Sequence, residues 1–330
     1  MLHLSDFDYN LPKELIAQYS LKDRTAARLL VVRRKDGAIE HSVFKNIKDY
    51  LRPDDLLVLN DTKVLPARLL GCRISGGKVE VLILAKKEEM TFRALIKPQR
   101  LKLGEKIIFN NGKIYAELTS KNEIKFFAKS INEIYRHGVM PLPPYIKRKV
   151  QEQDNLDYQT VYAQKDGSIA SPTAGLHFSR KLLANIKSYG TNIAYITLHI
   201  SYSTFKPVKV DDITKHKMEP EYFKIPPASL KLINNSQAKG KRVIAVGTTS
   251  LRALETYTLG RQEGYTDLFI YPGYEFKMTD CLLTNFHLPE TTLFMLACAF
   301  TGEKLLKRAY QEAIDKKYRF YSYGDAMLII

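Results

Sequence analysis

Three short segments of the chain place a histidine beside hydroxyl or amide side chains: residues 171–178 (SPTAGLHF), 197–199 (TLH) and 284–289 (TNFHLP). Imidazole titrates nearest to neutral pH, so His177, His199 and His287 are candidates for proton transfer. Their neighbours Thr173, Thr197, Thr284 and Asn285 can orient such a ring or hold a polar ligand. In the first segment Pro172 fixes φ and Gly175 admits positive φ, which marks a shaped loop and not the interior of a helix or strand. Loops of fixed shape that carry Thr and His commonly present polar atoms to a partner. Three of the seven histidines fall in such segments, a recurrence that core packing alone does not explain.

Other polar residues stand where open α/β sheets hold ligands. Residues 56–59 (LLVL) read as a buried strand that runs into Asn60, Asp61, Thr62 and Lys63 at its carboxyl end. Residues 241–246 (KRVIAV) read as a strand leading into Gly247, Thr248, Thr249 and Ser250, then a helix carrying Arg252. Such a turn either meets an anion with its N–H groups and hydroxyls or simply caps the helix. It lacks the glycines of a dinucleotide fingerprint and the Lys of a phosphate loop. His216, Glu219 and Glu221 form either an acid/base or ribose-binding set or a solvated loop. Residues 318–329 (YRFYSYGDAMLI) hold four aromatics and Asp325; the rings either stack on a base or pack the last strand. Cys72, Cys281 and Cys298 are far apart, odd in number and outside any CxxC spacing, so neither a disulfide framework nor a zinc site is expected.

These segments need a scaffold. At 330 residues the chain exceeds the length of about 250–300 at which single cores stop growing, so two domains are expected. Residues 1–63 look α/β, with a short helix over 12–19 and strands over 28–33 and 56–59. Residues 64–149 change character: about six strands alternate with hairpin turns such as Gly76-Gly77 and Asn111-Gly112, the pattern of a small β-barrel. Pro141, Pro143 and Pro144 then make a stiff connector. From residue 150 onward helical and strand patterns alternate again. The expected fold class is therefore α/β: a discontinuous domain made of 1–63 and 150–330, with a basic barrel inserted over 64–149.

Charge follows the same division. Residues 64–149 carry 18 Lys and Arg against 7 Asp and Glu, whereas 1–63 carry 11 against 10 and 150–330 carry 22 against 18. Excess positive charge concentrated on one domain is the footprint expected for a polyanion such as nucleic acid. No apolar run of about 18 residues occurs, and the amino terminus lacks a basic-then-apolar signal pattern. A cytoplasmic protein without metal or membrane span is expected.

Taken in order along the whole chain, these segments resemble the S-adenosylmethionine:tRNA ribosyltransferase-isomerase family of queuosine biosynthesis. The resemblance is carried by DFDYNLP (6–12), LLVLNDTKVLPARL (56–69), KVEVLIL (78–84), PLPPYIKR (141–148), YQTVYA (158–163), SPTAGLHF, TLH, AVGTTSLRALE (245–255), FIYPGYEFK (269–277), LLTNFHLPE (282–290) and YRFYSYGDAMLI. It implies a discontinuous α/β domain, a barrel-like mixed sheet with helices, into which a small antiparallel β-barrel is inserted. It implies as partners S-adenosylmethionine, consumed as a substrate with no further cofactor, and tRNA with a GUN anticodon (the Asp, Asn, His and Tyr acceptors). That tRNA carries 7-aminomethyl-7-deazaguanine at the wobble position. The family moves the ribosyl part of S-adenosylmethionine onto the aminomethyl group and isomerises it, giving epoxyqueuosine-tRNA, adenine and methionine. A monomer is expected.

On this resemblance His177 or His199 is the expected base, and His287 or Asp325 the expected proton donor or orienting group. Asn60, Asp61, Thr62, Lys63, Thr173, Gly175, Thr248, Thr249, Arg252 and Asn285 are expected to hold adenosine or methionine. Lys97, Arg100 and Lys102 of the barrel are expected to contact tRNA phosphates. The chain departs from the family pattern where Ser201 and Ser203 replace glycines after His199, and where Glu219 replaces a histidine. These departures motivate an alternative, a tRNA-binding member of the same fold with impaired catalysis. A methyltransferase is a third reading, opposed by the missing Gly-rich nucleotide fingerprint.

Overall fold

A computed structural model describes residues 2–205 and 207–330, without the side chains of Ser203 and Phe205. Nine strands form the main sheet in the order Glu263–Thr266, Glu221–Lys224, Asn192–Leu198, Leu56–Asn60, Val243–Val246, Cys281–Asn285, Ala326–Ile329, Arg28–Val32 and Ile39–Val43. The four central strands, from Asn192–Leu198 to Cys281–Asn285, are parallel. Ala326–Ile329 runs antiparallel to Cys281–Asn285, so the start of that strand lies at the carboxyl edge of the central four. Parallel strands buried on both faces read as continuous apolar runs, as LLVL and VIAV do.

Alternate residues of these strands feed two cores. Leu56, Val58, Val243, Ala245 and Leu282 face the helices Thr248–Tyr257, Thr292–Thr301 and Glu303–Asp315. Leu57, Leu59, Ile244, Val246 and Leu283 face Phe44, Phe178 and the helix Arg180–Ser188. The period of two in the strands thus places each side chain in one core or the other.

The inserted barrel is closed and wholly antiparallel. Its strands are Arg68–Arg73, Lys78–Lys86, Thr91–Lys97, Lys106–Phe109, Ile114–Ser120 and Glu123–Phe127. Closure removes the free edges that a six-stranded sheet would otherwise expose. Val79, Val81, Phe92, Ile107, Phe109 and Phe126 fill it, and Ile134 of the helix Ile131–Arg136 packs on the same core. Ile169 and Tyr202 from the α/β part also pack there, and Arg93 reaches Glu219 at 3.6 Å. The proline connector packs elsewhere: Met140, Leu142 and Ile146 cluster with Ala17, Val64, Tyr158 and Leu176.

Local readings need adjustment at short elements. The expected helix over 12–19 is reduced to a 3₁₀ turn, Lys13–Leu15, because Ile16 already pairs with Phe320. A two-stranded pairing of Thr62–Val64 with Lys165–Ser168 has no periodic signal, since KDGS contains no apolar residue.

Candidate functional site

A cleft opens where the central strands end. Its walls come from four loops: Ser171 to Ala174, Gly247 to Thr249, Thr284 to His287, and Tyr321 with Ser322, joined by Ile200, Thr204 and Tyr145. This is the carboxyl edge of the parallel strands, where ligands lie in α/β sheets. Gly247 has φ of 88°, a conformation that other residues rarely adopt, and it turns the strand Val243–Val246 directly into the helix Thr248–Tyr257. The first N–H groups of that helix therefore belong to the cleft wall.

No Asp, Glu, Lys or Arg occurs among the described residues lining the cleft. Its titratable groups are Tyr145, Tyr321 and His287. Burial raises both tyrosines and lowers His287 to about 3, so the cleft carries no formal charge at neutral pH. His287 Nε2 lies 2.8 Å from Thr284 Oγ1, and its backbone N–H donates to Tyr310 Oη at 2.9 Å. Tyr145 and Tyr321 pack edge to face with centroids 3.9 Å apart, and the Tyr145 hydroxyl bonds Ser322 Oγ. Tyr321 holds a φ of 72°, an outlier for an aromatic residue, at the cleft wall. Two buried polar atoms of lining residues have no hydrogen-bond partner among the described residues, Ser171 Oγ and Asn285 Oδ1.

Of the residues singled out in the sequence, Thr173, Thr248, Thr249, Asn285 and His287 meet in this cleft. The others stand behind it. Asn60 spends its carboxamide on the chain: Nδ2 donates to Leu198 O and Thr249 Oγ1, and Oδ1 accepts from Leu198 and Thr62 N–H. Asp61 accepts from Thr197 Oγ1 at 2.6 Å, although burial raises its pKa. Thr62 Oγ1 lies 2.7 Å from His199 Nδ1, and Lys63 pairs with Asp166 at the surface. His199 stacks on Tyr222, and a Cβ at Gly167 would lie 2.7 Å from its Nε2, so the ring is sandwiched outside the cleft. Gly175 turns toward Tyr162, whose hydroxyl would stand 2.0 Å from an added Cβ.

His177 is fully buried against Phe44 and lines a separate polar cavity with Arg24 and Asp157. Asp325 is committed to structure, accepting from the backbone N–H groups of Arg28 and Arg319 and pairing with the Arg28 guanidinium. Arg252 and Glu221, read separately from sequence, form one buried ion pair. The other oxygen of Glu221 accepts from Ser201 N–H at 2.7 Å and Thr204 Oγ1 at 2.8 Å, which ties the 201–204 turn to the sheet. Lys97, Arg100 and Lys102 are exposed on the barrel. Sequence reasoning missed Tyr145, Thr204 and Ser322 as cleft residues; the one legible hint was the tyrosine-rich YSYGD turn.

Fold and site define an α/β protein with an uncharged cleft at the sheet edge and an inserted basic antiparallel barrel. The family described as queuosine biosynthesis protein matches residues 4–329. The chain is 52% identical to the S-adenosylmethionine:tRNA ribosyltransferase-isomerase of Sulfurihydrogenibium sp., over 100% of both chains. It is 47% identical to the protein of the same name from Aquifex aeolicus, again over 100% of both. A crystal structure of S-adenosylmethionine tRNA ribosyltransferase from Thermotoga maritima is similar at a TM-score of 0.58 and 35% identity, covering 98% of this chain and 100% of that one. The chain belongs to the queuosine biosynthesis protein family.

Proposed function

We propose that this chain is an S-adenosylmethionine:tRNA ribosyltransferase-isomerase. It moves the ribosyl moiety of S-adenosylmethionine onto 7-aminomethyl-7-deazaguanine at the wobble position of tRNA with a GUN anticodon, and isomerises it. The products are epoxyqueuosine-tRNA, adenine and methionine. The observation that carries this reading is the 52% identity, over the full length of both chains, to a relative of that name. The same reading makes the protein a cytoplasmic monomer; among the described residues no helix is long and apolar enough to cross a membrane.

The cleft suits S-adenosylmethionine. The methionine carboxylate would meet the N–H groups that open the helix Thr248–Tyr257, with Thr248 and Thr249 beside them. The sulfonium acidifies the adjoining ribose C–H. A base takes that proton, and adenine departs with the electron pair of its bond to the ribose. The aminomethyl nitrogen attacks the remaining electrophile, and closure of the epoxide breaks the carbon–sulfur bond to release methionine. His287 is the imidazole on the cleft wall, and its neutral form can accept a proton. Its pKa of about 3 lies far below the optimum for a base at neutral pH, so the carboxylate of bound substrate would have to raise it. A site shielded from water would protect the intermediate.

The tRNA would approach by a second groove. Tyr145 and Tyr321 line both the cleft and this groove, whose walls also carry Tyr9, Lys13, Lys147 and Pro289. Tyrosine faces can stack an unpaired base while the lysines meet phosphates. The barrel's Lys97, Arg100 and Lys102 would hold the anticodon arm by its backbone.

The test is free adenine released from S-adenosylmethionine by purified protein on a panel of tRNAs. Release is expected only on GUN tRNA that bears the aminomethyl base. Release from none of them, with tRNA still bound, would favour the catalytically impaired tRNA-binding protein instead.

A further inference from the structure

The carboxamide of Asn285 has one orientation that its surroundings permit. Its Nδ2 lies 3.2 Å from Tyr321 O, 3.4 Å from Asp325 O and 3.1 Å from His177 Nε2. The two carbonyls can only accept, so the atom between them must be the NH₂ group; a flipped amide would set its oxygen against two carbonyl oxygens. The NH₂ has two hydrogens for three neighbours, so the two nearer acceptors, His177 Nε2 and Tyr321 O, take them and the 3.4 Å contact to Asp325 O shares one. A hydrogen on Nε2 would face an amide nitrogen that cannot accept it, so the ring proton sits on Nδ1. The lone pair that a catalytic base would need is already engaged. Burial, with the ring against Phe44, holds the His177 pKa at about 3, and the cations that face it, Arg24 and Arg319, add to the shift.

The same orientation turns Oδ1 away from those three acceptors. Asn285 is only 2% exposed, it lines the cleft, and Oδ1 has no partner among the described residues. A buried acceptor left unpaired costs about 1–3 kcal/mol, and such a group calls for an explanation. A ligand donor explains it. We propose that Asn285 Oδ1 accepts a hydrogen bond from an N–H or O–H group of the small substrate, and that His177 is a positioning residue that holds the carboxamide in this orientation and is not the base. The inference rests on the reading of the cleft as the S-adenosylmethionine site. The donor is the adenine amino group, a ribose hydroxyl or the ammonium group, all of which present the same chemistry to an amide oxygen.

Three measurements test it, two of which need no turnover. In wild-type protein with ¹⁵N-labelled histidine, the His177 ring signals are identified by their loss in His177→Gln. They should show a protonated Nδ1 and a bare Nε2 from pH 5 to 8. A protonated Nε2, or titration near neutrality, would overturn the assignment. Calorimetry of S-adenosylmethionine binding should show about a tenfold loss in Asn285→Ala, the scale of one hydrogen bond. Analogues lacking the 6-amino group, one ribose hydroxyl or the α-amino group identify the donor, because the matching analogue loses no further affinity in that variant. Unchanged binding of S-adenosylmethionine by Asn285→Ala refutes the acceptor role.

In the adenine assay His177→Gln, which keeps an acceptor, should hold kcat within tenfold, whereas His177→Ala should raise KM for S-adenosylmethionine. An equal fall of about 10²–10⁴ in kcat for both would make His177 the base. A wild-type protein that binds S-adenosylmethionine in this geometry yet releases no adenine counts against ribosyl transfer and leaves the tautomer and binding results standing.

Discussion

Burial decides what each histidine of this chain can do. His177 and His287 are both held near pKa 3, chiefly by loss of water, against an ordinary value of 6.5. Between these values the unfolded chain binds a proton at each site and the folded chain does not, so stability rises with pH through that window and falls as pH drops below about 6.5. Each site contributes about 1.4 kcal/mol per pH unit there. We predict that the slope of unfolding free energy against pH, measured by denaturant titration from pH 4 to 6, is smaller by about that amount in His177→Gln. An unchanged slope would mean that His177 titrates normally in the folded protein. The sequence revealed which residue types gather in the 171–178 loop but not which way each one points. The 3₁₀ turn Thr173–His177 puts Thr173 on the cleft and His177 behind Asn285, and tertiary packing sets that direction. Asp325 is hard to read for a similar reason: a buried carboxylate in a polar loop looks the same from sequence whether it holds a ligand or two backbone N–H groups.

Strands and turns set the cleft's shape. Two of its walls stand at the carboxyl ends of the parallel strands Val243–Val246 and Cys281–Asn285, and the continuous apolar run 243–246 made the first of these legible. The wall at 200–204 is different, because Glu221, on the strand Glu221–Lys224 about 20 residues further along the chain, fixes it. Removing that carboxylate leaves Arg252 buried without its partner, a loss of about 3–5 kcal/mol, and it also frees Ser201 N–H and Thr204 Oγ1. Glu221→Ala should therefore lower the thermal midpoint and weaken S-adenosylmethionine binding together. A variant with a lower midpoint but unaltered binding would show that the 201–204 turn keeps its shape unaided. Sequence reading placed Glu221 with His216 and Glu219, but only Glu221 belongs to the strand Glu221–Lys224, whereas His216 and Glu219 lie in the loop before it. Glu221 enters the core, while Glu219 reaches the barrel's Arg93.

Across the whole molecule, composition and structure agree on where positive charge is concentrated. The six strands of the barrel lie within the segment that holds 18 of the 51 Lys and Arg residues. Turn chemistry and alternation made its strand count readable, because hairpins carry their signals locally. Its contact with the α/β part through Tyr202 and Arg93 was not readable, since no local pattern encodes a meeting of distant surfaces. Replacing Lys97, Arg100 and Lys102 by Ala should weaken tRNA binding, flatten its dependence on salt by up to about three phosphate contacts, and leave S-adenosylmethionine affinity unchanged. An unaltered salt slope would move the tRNA contact off this face of the barrel. The central claim is transfer of the ribosyl moiety, and its most direct test follows label from S-adenosylmethionine into tRNA carrying the aminomethyl base. The account predicts that ribose-labelled carbon enters the tRNA in equal amount to adenine released, while methyl-labelled carbon leaves with methionine. Methyl label on the tRNA, or adenine released with no ribose label transferred, would contradict it.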